Sequence, residues 1–297
     1  MQYIIGGLAI GSVYALVAVG YSMIWAALGF LNFAQGYVVM FGGFIGLAAW
    51  RVLGRYLGGV PLVLAVFVIT AVTMAGLAVL IQTAVHRPVI RRSSPSFLRV
   101  NMLITTLSLG IILENVARIV WLTEPIFFPL FPRGLVKFWG LSVPGLYVWM
   151  LIATGVMVLL LQALLYYTRV GLAMRAVAQD RQVAAMMGID VQRSIYSTFC
   201  VAYVTGAVAG LLVGPLLYVA FNSGLFYGLQ GFAAAVLGGI GNVPAAIAGG
   251  LLLGVLENLG AGLLHAGYRS AIAFFVVIVI LLVKPAGLLG TTPMEKV

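Results

Sequence analysis

Long runs without a charge divide this chain. Met1–Trp50 carries none, and neither do Tyr56–Val85, Phe138–Thr168 and Ser194–Leu256. A helix needs about 20 apolar residues to cross the hydrocarbon core of a bilayer, so each run predicts a crossing and the longest must fold back. The pattern predicts helices over Ile4–Ala26, Phe33–Trp50, Pro61–Val85, Val100–Leu122, Gly145–Tyr167, Ser194–Ala220 and Ala271–Val283. Gly231–Leu264 is interrupted by Gly238-Gly239-Ile240-Gly241-Asn242-Val243-Pro244, which reads as two short or re-entrant helices meeting at a break. The runs are apolar on every face, unlike the alternating strands of a membrane barrel. The expected fold is an all-α polytopic membrane protein with about 8 transmembrane helices. Its 297 residues read as one domain.

The polar positions between spans set the topology. His86–Arg99 holds four arginines and no acid, and Pro88 and Pro95 argue against helix throughout it. Arg169–Arg193 is the other hydrophilic stretch. Basic loops mark the cytoplasmic side, which places both segments there. Trp121, Phe127, Phe128, Phe131 and Trp139 surround a proline-rich loop with Pro132 and Arg133 and suggest an interfacial segment on the outer side. Asn222, Gly224 and Gly228 mark a further outer turn.

Composition agrees. Hydrophobic residues make up 63% and charged residues 7%, and 37 glycines suit close helix packing in lipid. The net charge of +10 is a property of the loops, so it signals topology rather than nucleic-acid binding. Cys200 is the sole cysteine, and His86 and His265 stand apart, so no metal spacing appears.

Candidate chemistry is sparse. None of Lys137, Lys284 and Lys296 follows a glycine-rich phosphate loop, so ATP binding through a Walker A motif is excluded. No nucleophile motif or acid–base cluster supports an enzyme. Gly171–Gly188 reads as a helix of strong formers closed by Gly188, with Arg175, Gln179 and Gln182 on one face. It fits either an amphipathic surface helix or a docking helix for a cytoplasmic partner. Glu114 and Arg118, four residues apart, are expected to pair. Glu257, with Asn258 beside it, is an intramembrane acid and a functional candidate by default. Asn32, Gln35, Thr105, Thr106 and Asn115 are further candidates for a polar pathway.

Four segments carry a resemblance that spans nearly the whole chain. They are Leu31-Asn-Phe-Ala-Gln-Gly36 with Gly42-Gly43, Arg175-Ala-Val-Ala-Gln-Asp180 running to Gly188-Ile189, Phe232–Gly241 with Gly249-Gly250, and Lys284-Pro-Ala-Gly-Leu-Leu-Gly290. In this order they resemble the LivH-type permease subunit of the branched-chain amino-acid ABC importer family. The resemblance implies a second, related permease chain, two ABC ATPase subunits that bind ATP and Mg, a periplasmic substrate-binding protein and a bacterial inner-membrane location. No cofactor is expected in this chain itself. Arg175, Gln179, Asp180, Gln182, Ala184 and Gly188 would then belong to the coupling helix that seats on an ATPase subunit. Other ABC importers carry Glu-Ala-Ala, three residues, then Gly; here Val183 replaces the Glu and two residues separate Ala185 from Gly188. The docking contacts of those importers therefore do not transfer. Urea or a short amide is the alternative substrate. A stand-alone secondary transporter is the alternative of another class, and it would need more intramembrane ionisable groups.

Overall fold

A computed structural model of the chain describes residues 2–94, 96–121, 124–131, 134–138, 141–263, 267 and 269–290. Pro132, Arg133, Trp139 and His265 lie outside the described residues. The helices are α1 (Gln2–Leu28), α2 (Gln35–Leu53), α3 (Gly59–Ile81), α4 (Arg87–Arg92), α5 (Leu98–Trp121), α6 (Gly145–Tyr167), α7 (Arg169–Gln179), α8 (Arg181–Met186), α9 (Val191–Val213), α10 (Ser223–Gly238), α11 (Val243–Leu263) and α12 (Arg269–Val283). Seven of these stretches are long and apolar enough to cross a membrane, and α10 and α12 are shorter apolar helices. The chain is a multi-pass membrane protein.

Burial is arranged for lipid. α1 is enclosed along most of its length by α11, α9, α10 and α6. α3 buries one stripe, Leu62, Val66, Thr70, Met74 and Ala78, every fourth residue. Its other faces present Leu64, Val68, Val72 and Leu80 outward, an arrangement suited to acyl chains and unstable in water. α5 and α6 repeat this design with stripes through Met102, Thr106 and Leu113, and Met150, Thr154 and Leu161. Without a hydrophobic force between helices in lipid, close contact needs small residues. A methyl group at Gly254 would overlap the backbone of Gly11, and one at Gly250 the backbone of Ala15, so α11 lies backbone against backbone on α1.

The contacts fix which ends lie together. The Asn258 Nδ2 donates to the Tyr3 carbonyl at 2.6 Å, joining the end of α11 to the start of α1. At the other end of α1, the Arg181 Nε donates to the Ala27 carbonyl at 2.7 Å. α3 runs antiparallel to α9, since Cys200 Sγ reaches the Ala75 carbonyl and the Thr83 and Tyr196 hydroxyls meet at 3.0 Å. Both basic segments therefore lie at the end where α1 finishes, and Gln2 lies at the opposite end.

Three expectations are corrected. The third helix does not stop at Val85: a π-helical turn, Gln82–His86, carries it into α4. Pro88 stands just after the π-helical turn, the local adjustment by which a continuous helix accommodates a residue without an N–H, and the segment leaves the helix at Ser93 as expected. The sixth helix stops at Val213 rather than Ala220, because Gly214-Pro215 interrupts it. The chain then returns through Val219, which exchanges two backbone hydrogen bonds with Ile126 of the outer loop. The aromatics of that loop are not all interfacial. Phe128 and Phe131 are buried, with Phe128 packed on Gly214 and Phe131 stacked on Trp149, while Phe127 stays exposed. The same region holds an unexpected hairpin, β1 (Leu135–Phe138) paired antiparallel with β2 (Leu141–Pro144).

The glycine-rich break falls where the sequence predicts it, but the helices beside it are longer than expected: α10 takes in Gly224 and Gly228, read as an outer turn, and α11, at 21 residues, is long enough to cross a membrane. α10 ends at Gly238, Gly239 and Gly241 take φ +124° and +92°, and α11 starts at Val243. The Lys284–Gly290 segment closes this end. Leu288 and Leu289 donate their backbone N–H groups to the carbonyls of Leu237 and Gly238 at 2.8 and 2.9 Å. Two motifs of the sequence, far apart along the chain, thus form one clip that satisfies the Leu237 and Gly238 carbonyls at the end of α10.

Candidate functional site

Between α1 and α2 the chain is non-helical over residues 29–34, buried or half-buried throughout. Gly29, at φ +66°, turns the chain after α1. Irregular backbone there must be satisfied from within the protein. Asn32 Oδ1 accepts from Ala34 N at 3.2 Å, and its carbonyl accepts from Gln35 N at 3.1 Å. Thr106 Oγ1, from α5, accepts from Phe33 N at 3.3 Å. Gln35 crosses to α9 and donates Nε2 to the Ala202 carbonyl at 2.8 Å. Its amide occupies space left by Gly20 and Gly206; a side chain at Gly20 would collide with it. One residue on, Gly36 lies against the backbone of Gly224 and Gly228, so the first turns of α2 and α10 meet.

This break gathers polar groups that the protein does not saturate. The Asn32 amide and the Tyr203 hydroxyl are buried and interact with each other, and Gln35 Oε1 is buried with no hydrogen bond to a described residue. A buried amide oxygen in that condition costs about 1–3 kcal/mol. Gln230 of α10 is also wholly buried, with neither amide atom bonded to a described residue.

The structure separates the pathway candidates. Asn32, Gln35 and Thr106 come together at the break. Thr105 bonds back to the Asn101 carbonyl of its own helix, and Asn115, exposed, to that of Ile111. Glu257 is fully buried on α11, but its neighbour Asn258 packs on Gly6 of α1, whereas Gln35 packs on Gly20. At 1.5 Å per residue those levels are about 20 Å apart, so Glu257 and Asn258 belong to the opposite end. Glu114 and Arg118 form no ion pair within 4.0 Å: Glu114 lies beside Tyr37, and the exposed Arg118 sits over the Phe221 ring at 5.9 Å. The reason is a closer partner for each on another element. Tyr203 and Gln230 were not predicted. The criterion that selected Asn32, a polar side chain inside an apolar run, applies equally to them.

The hydrophilic segment is two helices rather than one, because Asp180 interrupts it. Thr168 caps α7, accepting from Gly171 N at 3.0 Å. Gly171, Met174 and Val177 then pack inward. Asp180, in extended conformation, accepts from Gln182 N at 2.8 Å and Val183 N at 3.1 Å, the N-cap of α8. Gln182 therefore leaves the face it was expected to share with Arg175 and Gln179. Gly188, at φ +81°, closes α8 as expected: Gly188 N bonds the Ala185 carbonyl and Ile189 N that of Ala184, both at 3.0 Å. Ala184 faces inward, while Met186 and Met187 are 85% and 79% exposed. Arg175 stacks on the Tyr166 ring at 4.7 Å.

Arg181 is the residue the sequence did not single out. Its hydrogen bond to Ala27 joins α8 to the last turn of α1, two residues before the chain turns at Gly29. Partial burial lowers its pKa from the ordinary arginine value, which leaves it charged. The exposed methionine tip, the cap at Asp180, the Arg181 bond and the polar break form a connected path from one end of the molecule to its middle.

A lipid-embedded bundle with a broken polar centre and an exposed helical tip defines a membrane permease. The chain matches the branched-chain amino acid transport system permease component family over residues 3–282 and belongs to it. It is 34% identical to the high-affinity branched-chain amino acid transport system permease protein LivH of Escherichia coli K12, over 100% of this chain and 97% of that protein. Identity to BraD of Pseudomonas aeruginosa, a permease protein of the same kind of system, is 33% over 100% of this chain and 98% of that one. A probable LivH of Methanocaldococcus jannaschii is 27% identical over 96% and 91%. No solved structure matches the chain.

Proposed function

We propose that this chain is the transmembrane permease subunit of an ABC importer in a bacterial inner membrane, moving branched-chain or other small neutral amino acids. Full-length similarity to LivH and BraD supports the substrate class. The observation that carries the mechanism is the Arg181–Ala27 hydrogen bond. In this reading two ATPase subunits hold ATP and Mg, and one seats on the α7–α8 segment through Met186, Met187, Val183 and Gln182. ATP binding draws the ATPases together and moves α8. Arg181 passes the displacement to the end of α1 and so to the Asn32–Gln35 break. Such a switch requires that the ATPases contact the two access states differently.

The unbonded Gln35 Oε1, with the Asn32 and Tyr203 side chains beside it, suits a zwitterionic amino acid, which brings both donors and acceptors. A second, related permease chain completes the pathway against the exposed faces of this one, and a periplasmic binding protein delivers substrate at the Gln2 end. An exposed Met-rich tip serves a docking partner and is of no use to a stand-alone transporter. The test is purification of the tagged chain from its native membrane. Two P-loop ATPases and a second permease should accompany it. A solitary chain that transports amino acids would overturn the proposal.

A further inference from the structure

We infer that the cavity bounded by the ends of α1 and α6, by α7 and by the α10–α11 break binds the phosphate group of an anionic phospholipid from the adjacent leaflet. The cavity is about 570 Å³. Among the described residues, Arg175 is the one charged residue in its lining and no carboxylate lines it. Apart from stacking on Tyr166, Arg175 makes no hydrogen bond or ion pair to a described residue. A buried or half-buried guanidinium normally finds a carboxylate, a carbonyl or a phosphate, and phosphate matches its fork of donors. Trp25 and Gln162 add donors, and the first residues of α11, the positive end of a 21-residue helix, form part of the same wall.

The rest of the lining argues for a lipid as the source of that phosphate. Leu165 and Ile247 give the cavity an apolar side. It adjoins α6, whose apolar Leu159 and Leu160 are exposed. Trp25 and Tyr166 stand where amphipathic rings favour the headgroup level, at the end that carries both basic segments. A bound headgroup would hold α7 to the glycine-rich break and stiffen the joint between the two.

The assembled transporter tests this in nanodiscs of phosphatidylcholine alone and of phosphatidylcholine with phosphatidylglycerol, with lipid retention read by native mass spectrometry. The wild type should retain phosphatidylglycerol through removal of bulk lipid. Arg175→Gln and Gln162→Glu should each weaken retention by about fivefold, the worth of one charge near a membrane surface. Gln162 is exposed, so its variant should fold even where the arginine variant does not. Arg92→Gln, in the other basic segment and outside the cavity, should retain lipid normally. Equal retention in the wild type and both cavity variants overturns the site. Protection from heating by inorganic phosphate in phosphatidylcholine, with none from phosphatidylglycerol, overturns the lipid source.

Discussion

Replacing Arg181 by Met removes one hydrogen bond while keeping most of the aliphatic packing. The bond, at 2.7 Å from a charged donor to a backbone carbonyl, is of the class worth about 1.5–3 kcal/mol. Partial exposure of Arg181 puts it at the lower end, about 1.5 kcal/mol, because solvent screens the charge. The Ala27 carbonyl sits in the last turn of α1, where carbonyls lack helical partners and a cation is favoured. Losing the bond detaches α8 from α1 without disturbing the α1–α11 seam. The assay is substrate uptake and ATP hydrolysis measured together in proteoliposomes of the assembled importer. At 1.4 kcal/mol per factor of ten, uptake per ATP should fall about tenfold, with hydrolysis largely kept. Arg169→Met, an exposed basic residue of the same segment, should leave the ratio unchanged. If Arg181→Met lowered thermal stability but left uptake per ATP at the wild-type value, the bond would be a peg and the coupling path would be wrong.

Asp180→Ala should lose the α8 cap, about 1 kcal/mol, and reduce uptake, while Asp180→Asn restores it because the amide oxygen caps equally well; uptake lost equally in both would mean that the charge meets a partner. Gly239→Ala forces a side chain to φ +124° against Gly290 and should cost more than the 1–2 kcal/mol of a left-handed residue, seen as a lower melting temperature in detergent. Gln35→Leu removes the bond to Ala202 and an acceptor at the break, and should reduce substrate-stimulated uptake several-fold with the complex still assembled.

How much of this could be read from the chain follows from which forces are local. Crossing helices announce themselves through charge-free runs, since lipid demands apolar residues continuously. The break at Gly238–Pro244 and the closure of α8 at Gly188 were legible because positive φ selects glycine. The break of α7 from α8 was not. Asp180 lies among strong helix formers, and its cap bonds, which set it apart from a helical acid, are made only in the folded chain. Phe128 and Phe131 looked interfacial because aromatic enrichment cannot distinguish a membrane interface from a plug over Gly214. The four-residue spacing of Glu114 and Arg118 permits a pair, but Tyr37 and Phe221, distant in sequence, compete. The same blindness to long-range contact placed Glu257 with Asn32, and it hid Arg181, whose importance lies entirely in reaching Ala27.

Leucine accumulation in proteoliposomes tests the central claim most directly. The account predicts uptake only when this chain, its second permease and the ATPases are reconstituted together, with binding protein at the Gln2 end and ATP at the end bearing α8. Leucine transport by this chain alone, without ATPases or ATP, would contradict it.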